Sequence, residues 1–65
     1  MPNVVDYEQR KKEITFKALE IFSKKGYSQV NLLEIAKSCG MTRTAIYRYY
    51  KDKSEIFTSV IKFFL

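Results

Sequence analysis

The stretch AKSCGMTRTAIYRYYKDK, residues 36–53, decides the fold class. Gly40 lies between two short segments with helical apolar spacing, and glycine readily adopts the left-handed conformation that ends a helix. Met41 is an apolar residue in a turn, which favours burial in a core. Thr42 is a good N-cap for a following helix. The stretch therefore predicts two short helices joined by a tight turn, which is a helix–turn–helix.

Helical spacing of apolar residues continues on both sides of this stretch. Apolar residues recur three or four positions apart, as in a helix with one buried face. Gly26 and Gly40 are the main interruptions, so they divide the chain into helical pieces. The sequence predicts an all-α single domain: a three-helix bundle with helices at about 7–25, 32–39 and 43–49, and the start of a fourth, linking helix at 53–65.

Capping residues mark the predicted helix boundaries. Gly26 suits the end of the first helix, with Tyr27 folding back as its hydrophobic follower. An acceptor side chain at a helix start, followed three positions later by Glu or Gln, forms a capping box. Three pairs have this spacing: Asp6 with Gln9, Asn31 with Glu34, and Asp52 with Glu55.

The same spacing separates the expected core from the expected surface. Phe16 points away from the apolar stripe of the first helix, while Phe63 and Leu65 extend the last helix beyond what a three-helix core needs. We expect these three residues to form a docking patch. The side chains expected to face the core are Ile14, Ala18, Ile21, Phe22, Leu32, Ile35, Ala36, Cys39, Ile46, Tyr50, Ile56, Phe57, Val60, Ile61 and Phe64.

The charge balance restricts the class of partner. The chain has 12 Lys+Arg against 7 Asp+Glu, which gives a net charge of +5 at pH 7. A basic small domain favours a polyanionic partner, nucleic acid first and a membrane surface second. Charge that only maintains solubility is the plain alternative.

Several function classes lack the residues that they need. Cys39 is the one cysteine and the sequence has no histidine. The residues needed for an internal disulfide, a zinc site or Cys–His catalysis are therefore missing. We expect no catalytic residue, no metal and no cofactor, and the chain is not predicted to be an enzyme. Its start is not a secretory signal, and its apolar runs are far shorter than the roughly 20 residues of a membrane span. A cytoplasmic setting is the simplest expectation.

The third predicted helix carries the candidate DNA contacts. A DNA-binding helix–turn–helix places its second helix in the major groove, with the N-terminal residues toward base edges. Arginine forks bind guanine or phosphate, small side chains allow close approach, and tyrosine hydroxyls and lysine bind phosphate oxygens. A helical hairpin without a DNA-binding role is the alternative. The candidate contacts are Thr42, Arg43, Thr44, Ala45, Tyr47, Arg48, Tyr49 and Lys53.

Three runs of residues carry a family resemblance: ALEIFSKKGY (18–27), LLEIAKSCGMT (32–42) and AIYRYYKDKSEIF (45–57). The last run has the most specific order: an aliphatic residue, tyrosine, two variable residues, an aromatic, a lysine three positions on, and an acid–aliphatic pair. The chain resembles the N-terminal DNA-binding domain of the tetracycline-repressor (TetR) family of bacterial transcriptional regulators.

This resemblance implies roles for individual positions. Thr44 stands where the family often has glycine or alanine, and Asn31 stands where threonine is usual. Leu33 replaces an arginine that reaches a base in some members, so we do not expect that contact here. The implied contacts are Arg43, Thr44 and Ala45 with bases and Tyr47 and Lys53 with phosphates, while Thr42 caps the reading helix.

The resemblance also implies a larger protein. Family members carry an all-helical C-terminal domain that binds a small effector and forms the dimer. Residues 1–65 are then expected to be the DNA-binding domain, with the effector-binding and dimerisation domain absent. We expect a homodimeric repressor on a palindromic operator for the full-length parent, and a monomer or weak dimer for this fragment. Any effector would act only through the absent domain.

A basic amphipathic helical module that binds a membrane surface or a partner helix is the alternative function. Such a module needs cations distributed along the polar face of one helix. Here the cations gather on the third helix and its flank. Binding to duplex DNA that falls steeply with added salt and prefers a palindrome would favour the regulator.

Overall fold

The structure, a computed structural model, describes residues 4–64. This part of the chain is helical and contains no strand, which confirms the all-α prediction. A short 3-10 turn lies between the first two α-helices. The elements are α1 (Val4–Lys25), the 3-10 turn (Tyr27–Gln29), α2 (Leu32–Ser38), α3 (Arg43–Ile46) and α4 (Lys53–Phe64).

Helix α1 begins earlier than the sequence predicted. It already includes Val4, so Asp6 lies in its first turn instead of capping it with Gln9. A carboxylate in that turn still lies near the positive end of the helix dipole. At the other end α1 stops before Gly26 as predicted, and Gly26 has a positive φ of 86°, but its ψ of 143° lies outside the left-handed helical region. The Gly26 N–H donates to the Phe22 carbonyl at 2.8 Å. The Tyr27 ring folds back to within 5.2 Å of the Phe22 ring.

The turn between α2 and α3 has the predicted glycine geometry. Gly40 has φ 70°, and its N–H donates to the Lys37 carbonyl at 3.1 Å. The Met41 N–H donates to the Ala36 carbonyl at 2.8 Å, which completes the paired bonds of a Schellman motif. Met41 is half-buried against the core, as predicted. This turn fixes the angle at which α3 leaves α2.

The start of α2 follows half of the predicted capping box. The Glu34 N–H donates to Asn31 Oδ1 at 2.8 Å, so Asn31 is the N-cap. The Glu34 carboxylate does not return to the cap; it accepts from Lys25 Nζ at the end of α1. That ion pair joins two elements, whereas the predicted bond would have been internal to α2.

Helix α3 is shorter than the predicted 43–49. Its α-helical part ends at Ile46, and a tighter turn follows. The cause lies in the backbone bonds: the Arg48 and Tyr49 N–H groups donate to the carbonyls of Ala45 and Ile46, three positions back. The predicted reading segment, residues 43–50, is therefore one α-turn followed by one narrower turn.

Each of the four α-helices contributes one fully buried isoleucine to a common core: Ile14, Ile35, Ile46 and Ile56. The predicted stripes of α1, α2 and α3 face this core. The predicted stripe of α4 was too wide, because Phe57, Ile61 and Phe64 are 40%, 42% and 53% exposed. A core of short helices covers only the narrow face of α4 that carries Ile56 and Val60.

Candidate nucleic-acid interface

The outward face of α3 and the turn after it carries polar side chains. Arg43, Thr44, Tyr47 and Arg48 are exposed, and Tyr47 retains 52% of its accessible surface. On the opposite side, Ile46 and Tyr50 are buried and fix α3 to the core; Ala45 is half-buried between the two faces. The segment thus presents two guanidinium groups, a hydroxyl and a phenol on one accessible surface.

Thr42 is the N-cap of α3, as the sequence predicted. Its backbone is extended (φ −80°, ψ 164°), and its Oγ1 accepts from the Ala45 N–H at 3.1 Å. The hydroxyl hydrogen remains available to a phosphate oxygen because the cap uses only the lone pair. Thr42 itself is exposed.

The segment that carries this surface has charged side chains of one sign. Residues 35–51 contain four cations, Lys37, Arg43, Arg48 and Lys51, and no carboxylate. All four side chains are exposed. A segment with an excess of cations attracts a polyanion by summed potential as well as by direct contacts.

Lys53 has a structural contact that the sequence did not predict. Its Nζ donates to the carbonyls of Tyr27 and Val30 at 2.7 and 2.8 Å, and lies 4.3 Å from the centroid of the Tyr27 ring. The ammonium therefore fastens the start of α4 to the connection between α1 and α2. The ammonium has three N–H groups, and these two carbonyls use two of them. No local signal could have shown this, since the partners lie 23 and 26 positions away.

Tyr49 does not face outward, as a phosphate donor would. It is half-buried, packs against the edge of the core, and stacks on Tyr7 with ring centroids 4.9 Å apart and planes 25° apart. The Tyr7 hydroxyl also donates to the Arg48 carbonyl at 3.0 Å. Tyr7 thus lies beside the candidate site, and sequence reasoning missed it because it precedes Arg48 by 41 positions.

Tyr50 ends this segment inside the fold. Its hydroxyl lies 3.0 Å from Thr15 Oγ1 on α1 and 2.9 Å from Ser59 Oγ on α4. Lys11 Nζ lies 5.0 Å from the centroid of its ring. The Thr15 hydroxyl also donates to the Lys11 carbonyl at 2.8 Å, so the buried polar atoms are satisfied. This network ties the end of the reading segment to both long helices.

Two groups near the site have shifted pKa values. Hydrogen bonds from the Glu55 N–H, and next from the Ser54 hydroxyl, lower the pKa of the exposed Asp52 carboxyl at the start of α4. Burial raises the pKa of the Cys39 thiol, and the nearby cations Lys17 and Arg10 only partly oppose this. Cys39 is therefore a protonated, weakly nucleophilic thiol at neutral pH.

Within residues 4–64, no group of three or more Cys, Asp or Glu side chains is arranged to hold a metal ion. No helix in that range is long and apolar enough to cross a membrane.

Comparison of the sequence with known proteins assigns the chain to a family. Residues 14–60 match the model of the bacterial regulatory proteins of the tetR family. The chain belongs to this family. It is 43% identical over 53 residues to the HTH-type transcriptional regulator AcrR of Shigella flexneri, and 40% identical over 53 residues to the HTH-type transcriptional repressor BepR of Brucella suis.

The matches to these tetR-family relatives are partial in length. Each covers 82% of this chain but 25% of the relative, so the chain spans about a quarter of the length of the curated relatives it matches. No solved structure matches the chain with comparable significance.

Proposed function

We propose that this chain binds duplex DNA sequence-specifically, as the helix–turn–helix domain of a bacterial transcriptional regulator that acts as a repressor. The observation that carries this proposal is the outward face of α3. Arg43, Thr44, Tyr47 and Arg48 are exposed there, within a segment that has four cations and no carboxylate. The printed names of the relatives AcrR and BepR support the regulatory role.

In this proposal α3 enters the major groove and α2 crosses the backbone. Arg43, in the first turn of α3, reaches guanine O6 and N7 with two parallel hydrogen bonds. Thr44 and Ala45 are small, so the helix approaches closely and their methyl groups lie near thymine. Thr42 donates its hydroxyl to a phosphate at the N-terminal end of α3.

The phosphate contacts come from the residues that follow. Tyr47 is exposed and offers its phenol, and Arg48 offers its guanidinium. Lys53 offers the one N–H that its two carbonyl contacts leave over. Tyr49 is half-buried and stacks on Tyr7, so it supports this segment instead of contacting a phosphate. These contacts position the protein, whereas those at the start of α3 read sequence.

The same proposal includes a larger assembly. Phe16 on α1 lies 6.2 Å from the Phe63 ring and 5.8 Å from the Phe64 ring, and all three side chains are exposed. Leu65, the third member of the predicted docking patch, lies outside the described residues. We propose that this aromatic surface packs on a C-terminal effector-binding and dimerisation domain of a full-length parent. Two copies then meet a palindromic operator in the cytoplasm, with reading helices about 34–36 Å apart.

The 65-residue chain tests the DNA-binding part on its own. Selection from a random duplex library should recover a preferred half-site, and its affinity should fall linearly with the logarithm of salt, with a slope near −2 for about two neutralised phosphates. Arg43→Ala should relax preference at one base step, whereas Lys53→Ala should weaken binding to all sequences. Recovery of no preferred sequence, or salt-independent binding, would contradict the proposal. A tight dimer of this chain on a palindrome would contradict the need for a further domain.

A further inference from the structure

The C-terminal end of the reading segment depends on a residue outside it. The α-helical part of α3 ends at Ile46, and the chain then turns through Tyr49. Carbonyls at a helix end lack intrahelical partners and need other donors. The Arg48 carbonyl receives the hydroxyl of Tyr7 at 3.0 Å, from a residue 41 positions earlier.

Tyr7 makes a second contact with the same segment, through the side chain of Tyr49. Its ring stacks on the ring of Tyr49, with centroids 4.9 Å apart and planes 25° apart. The hydroxyl and the ring together hold both residues that flank the peptide between Arg48 and Tyr49. Lys11 lies one turn further along α1, with its Nζ 5.6 Å from the centroid of the Tyr7 ring. The first turns of α1 are thus fixed against the backbone that carries Arg48.

These contacts lie at the edge of the fold. Tyr7 is 38% exposed, and Arg48 is exposed beside it. Ile46 and Tyr50 anchor the segment to the core from the other side. Because removal of the Tyr7 hydroxyl alone leaves the ring and its buried area in place, its effect falls on local geometry more than on the stability of the domain.

We propose that Tyr7 is a positioning residue for DNA binding, and that it acts through Arg48. The proposal rests on the proposed function. By holding the Arg48 carbonyl, the Tyr7 hydroxyl restricts the turn to the conformation in which the guanidinium faces the DNA. Without that bond the turn samples other conformations, and ordering it on DNA costs affinity. Tyr7 itself contacts Arg48 and Tyr49 and not the DNA.

The test is a set of double-mutant cycles on the 65-residue chain. Tyr7→Phe keeps the stacked ring and removes the hydroxyl, and its effect is measured in the parent, Arg48→Ala and Arg43→Ala backgrounds. The probe is the duplex recovered by selection with the parent chain. Loss of one hydrogen bond should weaken binding about 2- to 10-fold in the parent and in Arg43→Ala. In Arg48→Ala the same change should have no effect, because the positioned group is gone.

Tyr27→Phe is the matched control: Tyr27, in the 3-10 turn after α1, has similar exposure (37%), and the change keeps both the ring beside Lys53 Nζ and the carbonyl that accepts from it. It should leave the affinity unchanged. An equal loss in Tyr27→Phe, an equal Tyr7→Phe loss in the Arg48→Ala background, or a loss that matches a fall in the folded fraction by circular dichroism would each overturn this inference alone. Failure of the parent chain to select or bind any duplex would overturn it together with the proposed function.

Discussion

The two ends of the reading segment are held by different kinds of contact. At the N-terminal end, Gly40 and Thr42 make their defining bonds to residues within three positions. At the C-terminal end, Arg48 and Tyr50 are held by residues 41 and 35 positions away on α1. The N-terminal end can form wherever the local chain is helical, whereas the C-terminal end forms only when α1 has packed against it. In the proposed function, the end that reads bases is set locally and the end that grips phosphates depends on the assembled domain.

The largest effect on stability is expected at Gly40, at the N-terminal end of the segment, because this end depends on backbone conformation. Gly40 has φ 70°, and a Cβ added there would meet nothing within 4 Å. The cost of Gly40→Val is therefore almost purely conformational, and we expect the free energy of unfolding to fall by about 2 kcal/mol. Urea denaturation followed by circular dichroism measures this change. Gly40→Asn is the control and should lose less, since asparagine tolerates this conformation; equal losses would refute the explanation.

Lys53 tests the long-range contacts at the start of α4. Lys53→Met keeps the aliphatic stem and removes the donors to the Tyr27 and Val30 carbonyls. We expect a loss of about 1.5 kcal/mol in the free energy of unfolding, because charged donors bind carbonyls more strongly than neutral ones. The salt slope of DNA binding should also become shallower by about one. A variant with parental stability would show that these carbonyls do not need the ammonium.

Substitution of Thr42 tests the N-cap at the same end, with a smaller expected effect on the free energy of unfolding. Thr42→Ala removes the acceptor of the Ala45 N–H, and loss of an N-cap costs about 1 kcal/mol of unfolding free energy. Thr42→Ser keeps an acceptor and should retain most of that stability. Thermal or urea unfolding compares the two. If serine were as destabilising as alanine, the threonine methyl group and not the cap would be responsible.

Asp52 gives the smallest effect and a pH dependence. Its pKa is lowered in the folded state by the Glu55 N–H and the Ser54 hydroxyl, so its stabilising effect is present above the pKa of the unfolded chain. That effect is lost as the pH falls through the lowered folded pKa. Asp52→Asn keeps a capping oxygen without a titrating group, so its urea midpoint should fall less than the parent midpoint between pH 7 and pH 3. Equal falls of the urea midpoint in the parent and in Asp52→Asn would show that other carboxylates cause the acid sensitivity.

Sequence reasoning predicted the parts of the fold that depend on near neighbours. The caps at Asn31, Thr42 and Asp52 and the left-handed Gly40 follow from side-chain chemistry within a few positions. The buried faces of α1, α2 and α3 follow from helical periodicity. The width of the α4 stripe was wrong because periodicity marks apolar residues without saying how much of them a small core can cover.

The candidate site could be predicted only in part. Its outward orientation follows from the alternation of polar residues with Ile46 and Tyr50. The contacts of Lys53 and Tyr7 could not be predicted, because they join residues 23 or more positions apart and leave no periodic signal. The early end of α3 is local, but apolar spacing does not distinguish an α-helical turn from the narrower turn that follows Ile46. The roles of the individual side chains on DNA remain predictions.

The separation of anchor and surface on α3 has an evolutionary consequence. Ile46 and Tyr50 carry the packing, whereas Arg43, Thr44 and Arg48 are exposed. Exchanging exposed side chains usually changes stability by less than about 0.5 kcal/mol. If these side chains read DNA as in the proposed function, a lineage with this architecture can acquire new target sequences by point mutation while its core stays the same, so recognition and foldability diversify independently after gene duplication.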